Sequence, residues 1–249
     1  MQSMTHREIK HQAKARLKQP GMYRSLMAAN LLPWLIVLAF TAWAFLTVWQ
    51  IMQSYGFANI VKSPDNFSDY LAGTNNLSNQ TLLQSVVMLW FTQGIAFTAL
   101  DVMRGKVQRV SPLAALLKTF NSRYFFGLLS VLALTWVAKS IGFFLLVIPG
   151  IIAIYGLSMS YYRYYDGRQE EQDGRPYSST TAVLDSWRLM RGRKLNYFGL
   201  QLSLLGWQLL KLVTLHLFDF LINPYLQLVD AGFYANARLE YEVQRQMMP

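Results

Sequence analysis

The stretch YFFGLLSVLALTWVAKSIGFFLLVIPGIIAIYGLSMSYYRYYD, from Tyr124 to Asp166, decides the fold, and its only basic residues are Lys139 and Arg163. As one helix it would run for about 60 Å, twice the hydrocarbon core of a bilayer. Pro149-Gly150 stands just past its middle. Proline lacks the N–H that a helix needs, and glycine frees the backbone to turn. The stretch therefore reads as two transmembrane helices joined by a short turn at Ile148-Pro149-Gly150.

Composition agrees with that class. The chain is 53% hydrophobic and 14% charged, with a mean hydropathy of +0.20, and its apolar residues fall in long blocks. The net charge of +10 would suit nucleic acid. The basic residues instead cluster between the apolar blocks, which fits membrane topology and anionic lipid headgroups, and no nucleic-acid partner is expected. There is no cysteine, so disulfides, thiolate metal sites and cysteine nucleophiles are excluded. The first apolar run is too long for a signal peptide and reads as a retained span.

The expected fold class is an all-α integral membrane protein: six transmembrane helices as three helical hairpins, each preceded by a basic amphipathic cytoplasmic helix. A basic segment (1–27) comes first; its Met4, Ile9, Ala13 and Leu17 recur at helical spacing up to Pro20-Gly21. This reads as a helix on the membrane surface or as a partly disordered tail. Hairpin one (28–102) has spans at Ala28–Met52, with Pro33 in its first turns, and at Thr81–Val102. Its outer loop (53–80) contains Asn66-Phe67-Ser68, Asn76-Leu77-Ser78 and Asn79-Gln80-Thr81. These match the glycosylation sequon, but an Asn-rich loop produces them by chance, and they are not read as modified. Residues 103–166 hold a surface helix opened by Ser111-Pro112, then hairpin two. Residues 167–240 hold a second surface helix (Ser178–Met190) and hairpin three, with spans at Leu195–Phe218 and Leu226–Ala237 about a turn at Asn223-Pro224-Tyr225. Residues 241–249 form a tail.

Lys and Arg are dense in the first segment, in 103–123 and in 163–194, whereas 53–80 has only Lys62. The positive-inside rule then places both the N- and C-terminal segments in the cytoplasm. Phe126-Gly127-Leu128 and Phe198-Gly199-Leu200 match, each after a basic cluster and before a proline turn. That suggests tandem repeats, although any hairpin with positive-inside flanks would look similar.

Ionisable residues inside apolar runs are the candidates for chemistry. Lys139 lies mid-span, where a cation costs roughly 2.5–3.5 kcal/mol unless paired or hydrated. It reads either as part of a polar site with Asp230 or Asp219 as counter-ion, or as a structural pair or snorkelling lysine. Lys211 and His216 are five apart and face different sides, while His216 and Asp219 are i, i+3 and can touch. Asp101 and Arg104 form another i, i+3 pair. Tyr161, Tyr162, Tyr164 and Tyr165 read as an interfacial aromatic belt, and Gly199, Ser203 and Gly206 as a small-residue packing seam. His6 and His11 are poorly spaced for a metal, and no metal or other cofactor is expected. No Walker, His-Glu-x-x-His or nucleophile-elbow motif is present, so no enzyme is expected.

A further signal is the set Ala182, Ser186, Met190, Gly192, Lys194, Phe198, Leu200, Ser203, Gly206-Trp207, Thr214, Pro224-Tyr225 and Phe233-Tyr234, preceded by Pro149-Gly150-Ile151-Ile152. Over roughly residues 110–240 it resembles a bacterial, mostly Gram-positive, family of multi-pass membrane proteins of unknown function. That family is distantly similar to the membrane domain found beside some glycerophosphodiester phosphodiesterases. The resemblance implies a polytopic plasma-membrane protein and carries over no catalytic residue. The segment after Tyr165 is longer and more polar than the family pattern.

Three function classes follow. The first is a non-enzymatic accessory module binding lipid or protein, in export, envelope stress or immunity, with a protein partner or a second copy of the chain. The second is a small transporter or channel using Lys139, Asp219 and Asp230. The third is a membrane enzyme acting on lipids. The first is the expected one, because basic surface helices are present and catalytic motifs are not.

Overall fold

The computed structural model describes residues 4–56, 59, 62, 68, 76–171 and 177–247, and among them every regular element is helical. Asn66 and Phe67 of the first sequon lie outside the described residues. Helix α1 (His6–Leu17) opens with a capping box: the Glu8 N–H donates to Thr5 Oγ1, and the Thr5 N–H donates to the Glu8 carboxylate at 2.7 Å. Two backbone donors that the helix itself leaves free are thereby satisfied. Gly21 takes φ +76°, a left-handed turn that favours glycine, and leads into α2 (Met22–Tyr55). Pro33 is thus well inside a helix that starts six residues before the expected span.

Helix α3 is Asn76–Met103, followed by α4 (Pro112–Leu117), α5 (Phe125–Leu145), α6 (Val147–Gly156) and α7 (Ser160–Gln169). The remainder is α8 (Ser179–Leu189), α9 (Lys194–Ser203), α10 (Leu205–Val213) and α11 (Asp219–Met247). Among the described residues three helices are long and apolar enough to cross a membrane: α2, α3 from Asn79 onward, and α5, with mean hydropathies of 2.1, 1.6 and 1.9. The expected spans four and five are each divided in two. In the sixth, α11 continues into the charged Arg238, Glu240, Glu242 and Arg245.

Two of the expected turns are displaced. The break after α5 falls at Leu146, which is extended (φ −170°, ψ 160°), and Pro149 and Gly150 lie within α6. Pro149 is the third residue of that helix, where N–H groups have no intrahelical acceptor in any case, so it starts a helix instead of ending one. Gly150 serves close packing: a Cβ there would meet the Phe143 ring at 2.5 Å. Pro224 likewise sits within α11. The preceding reversal is at Leu215 and His216, whose φ values of +48° and +64° are unusual for residues with side chains.

The chain folds as two compact units. The smaller takes residues 31–89. Within it, buried Gln80 of α3 donates to Thr47 Oγ1 of α2 at 2.9 Å, joining the two helices by their polar side chains. The larger takes residues 1–30 and 90–249. Here α6 and α7 run back along α5: Gly142 faces Gly150, and Gly127, nearer the start of α5, faces Tyr164. Helix α8 packs beside them, with Ser179 Oγ donating to the Gly127 carbonyl and Ser186 Oγ to the Gly156 carbonyl. Large apolar side chains on α5 and α6, among them Phe126, Trp136, Phe144 and Ile148, face outward. That surface needs lipid or protein to cover it.

Helix α1 is a folded helix, not a disordered tail, and it buries one stripe against α11 while its opposite face is exposed. Ile9 and Ala13 are fully buried, and Ile9 packs where Gly232 of α11 lacks a side chain. Its polar edge reaches α9, where His6 pairs with Asn196 and Lys10 Nζ donates to Ser203 Oγ at 3.3 Å. The expected small-residue seam is consequently used differently. Gly199 lies against His6, Ser203 against Lys10, and Gly206 faces open space beyond the break at Leu204.

Candidate functional site

Helix α7 concentrates polar chemistry in ten residues, SYYRYYDGRQ, and with Arg163, Asp166 and Arg168 it lies outside the apolar spans. Asp166 is 1% exposed. Arg104, at the end of α3, donates to both of its oxygens at 2.6 and 2.7 Å. From α11, the Tyr234 hydroxyl donates at 2.6 Å and Arg238 forms a second ion pair. Arg238 also pairs with Glu170 and Glu242. One carboxylate thereby ties together three helices. Burial alone would raise the Asp166 carboxyl, but donation and charge from Arg104, with Arg238 and Tyr234, hold it below its ordinary value.

A second carboxylate repeats the motif. Asp101 accepts from Lys118 Nζ at 2.5 Å and from the Tyr165 hydroxyl at 2.7 Å. The expected Asp101–Arg104 pair is therefore replaced by two longer-range pairs. Both reach across to another element, Asp101 to Lys118 beside α4 and Arg104 to Asp166 of α7. A third cluster sits on α8: Asp185 accepts from Arg163 at 3.2 Å, Arg188 at 3.3 Å and the Tyr177 hydroxyl at 2.6 Å. Arg193, before α9, joins Glu240 and Gln244 of α11.

Three of the four α7 tyrosines expected in an interfacial belt complete this core instead, and Tyr161 is part-exposed. Tyr162, Tyr164 and Tyr165 are buried, with Tyr165 stacked on Phe97 at 4.3 Å and Tyr162 on Tyr234 at 5.1 Å. An α-helical segment alternating tyrosine with charge buries the rings and lets each hydroxyl serve a carboxylate.

The residues singled out from the sequence are not brought together as one site. Lys139 is half-buried on α5 and has no hydrogen bond or ion pair among the described residues. Asp230 accepts instead from Tyr197 at 3.1 Å and Gln201 at 2.7 Å. Asp219 is held by Lys211 at 3.4 Å and His216 at 2.9 Å, and Lys211 also donates to Asn223 at 3.0 Å. Lys211 and His216 do meet a common partner, contrary to the helical-wheel expectation, because the left-handed turn at Leu215 and His216 ends the helical phase between them. Among the described residues no group of His, Asp and Glu has the arrangement of a metal site.

Sequence reasoning missed Asp166 and Arg238, paired Arg104 with Asp101, and gave Tyr234 no role beyond the family resemblance. The available signal was the pairing of Tyr234 with Arg238 one turn apart, together with a Tyr-rich helix that carries a single carboxylate.

A family model described as a protein of unknown function (DUF975) matches residues 136–240, the region from mid-α5 through most of α11. No curated protein and no solved structure matches the chain.

Proposed function

We propose that the chain is a multi-pass protein of a bacterial plasma membrane that acts as a non-enzymatic accessory module, binding lipid or a partner protein. The N- and C-terminal segments are cytoplasmic, and α6, which leads into the polar end at α7, the divided α9–α10, and α11 complete six crossings in three hairpins. The observation that carries this reading is the polar end of the larger unit. Its carboxylates Asp101, Asp166 and Asp185 are each neutralised by a lysine or arginine and bonded by a tyrosine, as internal struts. Beside them α4 and α8 bury one edge (Ala115, Leu116; Ala182, Ser186, Leu189) and expose another (Leu113, Leu117; Leu184, Trp187). Helices with a buried edge, an exposed apolar edge and flanking cations suit the membrane–water interface or a docking partner.

The transporter reading needed Lys139, Asp219 and Asp230 in one polar path, and their separate partners weigh against it. Lys139→Leu is the discriminating variant. Because Lys139 has no partner to strand, its detergent stability should stay within about 0.5 kcal/mol of the parent. Proteoliposomes of parent and variant should be equally tight to protons and small solutes. A flux present in the parent and lost in the variant would restore the transporter reading.

Topology has its own test on this cysteine-free chain. A cysteine replacing Ser68 should react with an impermeant maleimide in intact cells. One replacing the exposed Thr180 should react only after permeabilisation, and the opposite pattern would reverse the orientation.

A further inference from the structure

The cavity formed by α7, α8 and α11 at the polar end is lined by Arg163, Asp185, Arg188, Leu189, Tyr241 and Arg245. Its volume is about 260 Å³, small for a drug-sized ligand but ample for a single headgroup-sized anion. Three guanidinium groups surround one carboxylate, so the lining carries two surplus positive charges. Asp185 is already occupied: it accepts from Arg163, Arg188 and the Tyr177 hydroxyl. Arg163 is fixed by that contact and only 17% exposed along its side chain, whereas Arg188 is 64% exposed. Arg245, one helical turn beyond Tyr241 on α11, makes no ion pair among the described residues.

We infer that this pocket binds a phosphate monoester group, with Arg188 and Arg245 as its movable donors and Arg163 as a fixed one. A phosphate monoester carries about −1.5 to −2 charges at neutral pH, which matches the surplus of two. Guanidinium groups bind such oxyanions through paired N–H donors, a geometry that ammonium groups do not offer. Asp185 fixes Arg163 at the cavity wall, whereas its contact with the largely exposed Arg188 leaves that side chain free to turn toward an anion. Two sources share this chemistry: a phosphatidate-type headgroup reaching the pocket from the bilayer, or a soluble phosphomonoester from the aqueous side.

The inference rests on the reading of the chain as a binding module and specifies what one of its surfaces holds. The test uses the full chain in nanodiscs of phosphatidylcholine, titrated calorimetrically with inorganic phosphate. Saturable binding is expected, weakened about tenfold or more in the double variant Arg188→Gln/Arg245→Gln, whose exposed side chains leave the fold intact. Unchanged melting of the variant checks that last point. Repeating the titration in discs containing phosphatidate separates the sources. Loss of phosphate binding there assigns the pocket to a lipid headgroup, and undiminished binding assigns it to a soluble ligand. Absence of saturable binding in phosphatidylcholine discs, or equal binding by parent and double variant, overturns the inference. Neither of those results bears on the flux comparison at Lys139, so pocket and module reading fail independently.

Discussion

Replacing Asp166 with asparagine should destabilise the larger unit by about 3–5 kcal/mol, the cost of removing one member of a buried ionic group. The carboxylate is 1% exposed and receives Arg104, Arg238 and Tyr234. Asparagine is nearly isosteric, so packing changes little. What changes is that two part-buried guanidinium groups face each other with no charge between them. Arg238 retains Glu170 and Glu242, but Arg104 has no other ion pair among the described residues. Thermal unfolding in mild detergent reads the loss directly. Adding Arg104→Met to the asparagine variant should recover part of it, because the stranded charge is gone. An asparagine variant as stable as the parent would mean that the ion pairs are incidental to the fold.

The same site contributes to the protein's sensitivity to acid. The Asp166 carboxyl titrates below its ordinary value when folded, so its contribution is fully present above about pH 4 and disappears as pH falls through the lower folded value. The parent should lose stability steeply in that acid window, and the asparagine variant should lack that share of the loss.

What the sequence revealed and what it hid divide along physical lines. Hydropathy depends on composition over a window, so the membrane character and the long helices α2, α3 and α5 were legible. The return of α6 and α7 along α5 was legible too, though its break was placed three residues late. Proline was over-read. A proline in the first turn of α6 and another inside α11 both look like stops in a linear scan, and neither ends a helix. Charges were misassigned for a related reason. Pairing Asp101 with Arg104 used sequence spacing as a stand-in for space, and pairing Lys139 with Asp219 or Asp230 rested only on its need for a counter-ion. Asp101 instead reaches Lys118 and Tyr165, and Arg104 reaches Asp166, across elements whose packing no local pattern encodes. The α7 tyrosines carry the clearest lesson. Their amphipathic rings fit a membrane interface as well as a polar core, and only the burial of Tyr165 beside Asp101 separates the two.

Glycine offers the second large effect, and the two positions that decide it differ in their surroundings. At Gly94 of α3 an added Cβ would fall 2.4 Å from the Ala115 carbonyl oxygen and 3.0 Å from that of Leu116. These are backbone atoms of α4, which cannot rotate aside as a side chain can. Nor is α4 free to slide, because Thr119 Oγ1 donates to the Trp90 carbonyl at 2.8 Å and Lys118 is tied to Asp101. Gly94→Ala must therefore displace a pinned element, at a cost of about 1–3 kcal/mol. Cleavage by trypsin at Lys118 should accelerate as α4 loosens. Gly206, which the sequence placed in a packing seam, has nothing within 4 Å of its would-be Cβ. In a helix that meets no clash, alanine is favoured over glycine by up to about 1 kcal/mol, so Gly206→Ala should be neutral or stabilising. The two substitutions are chemically identical and should move melting in opposite directions. If Gly94→Ala melted with the parent, the close approach of α3 to α4 would not contribute to stability, and α4 would be free to leave the core as an independent surface helix.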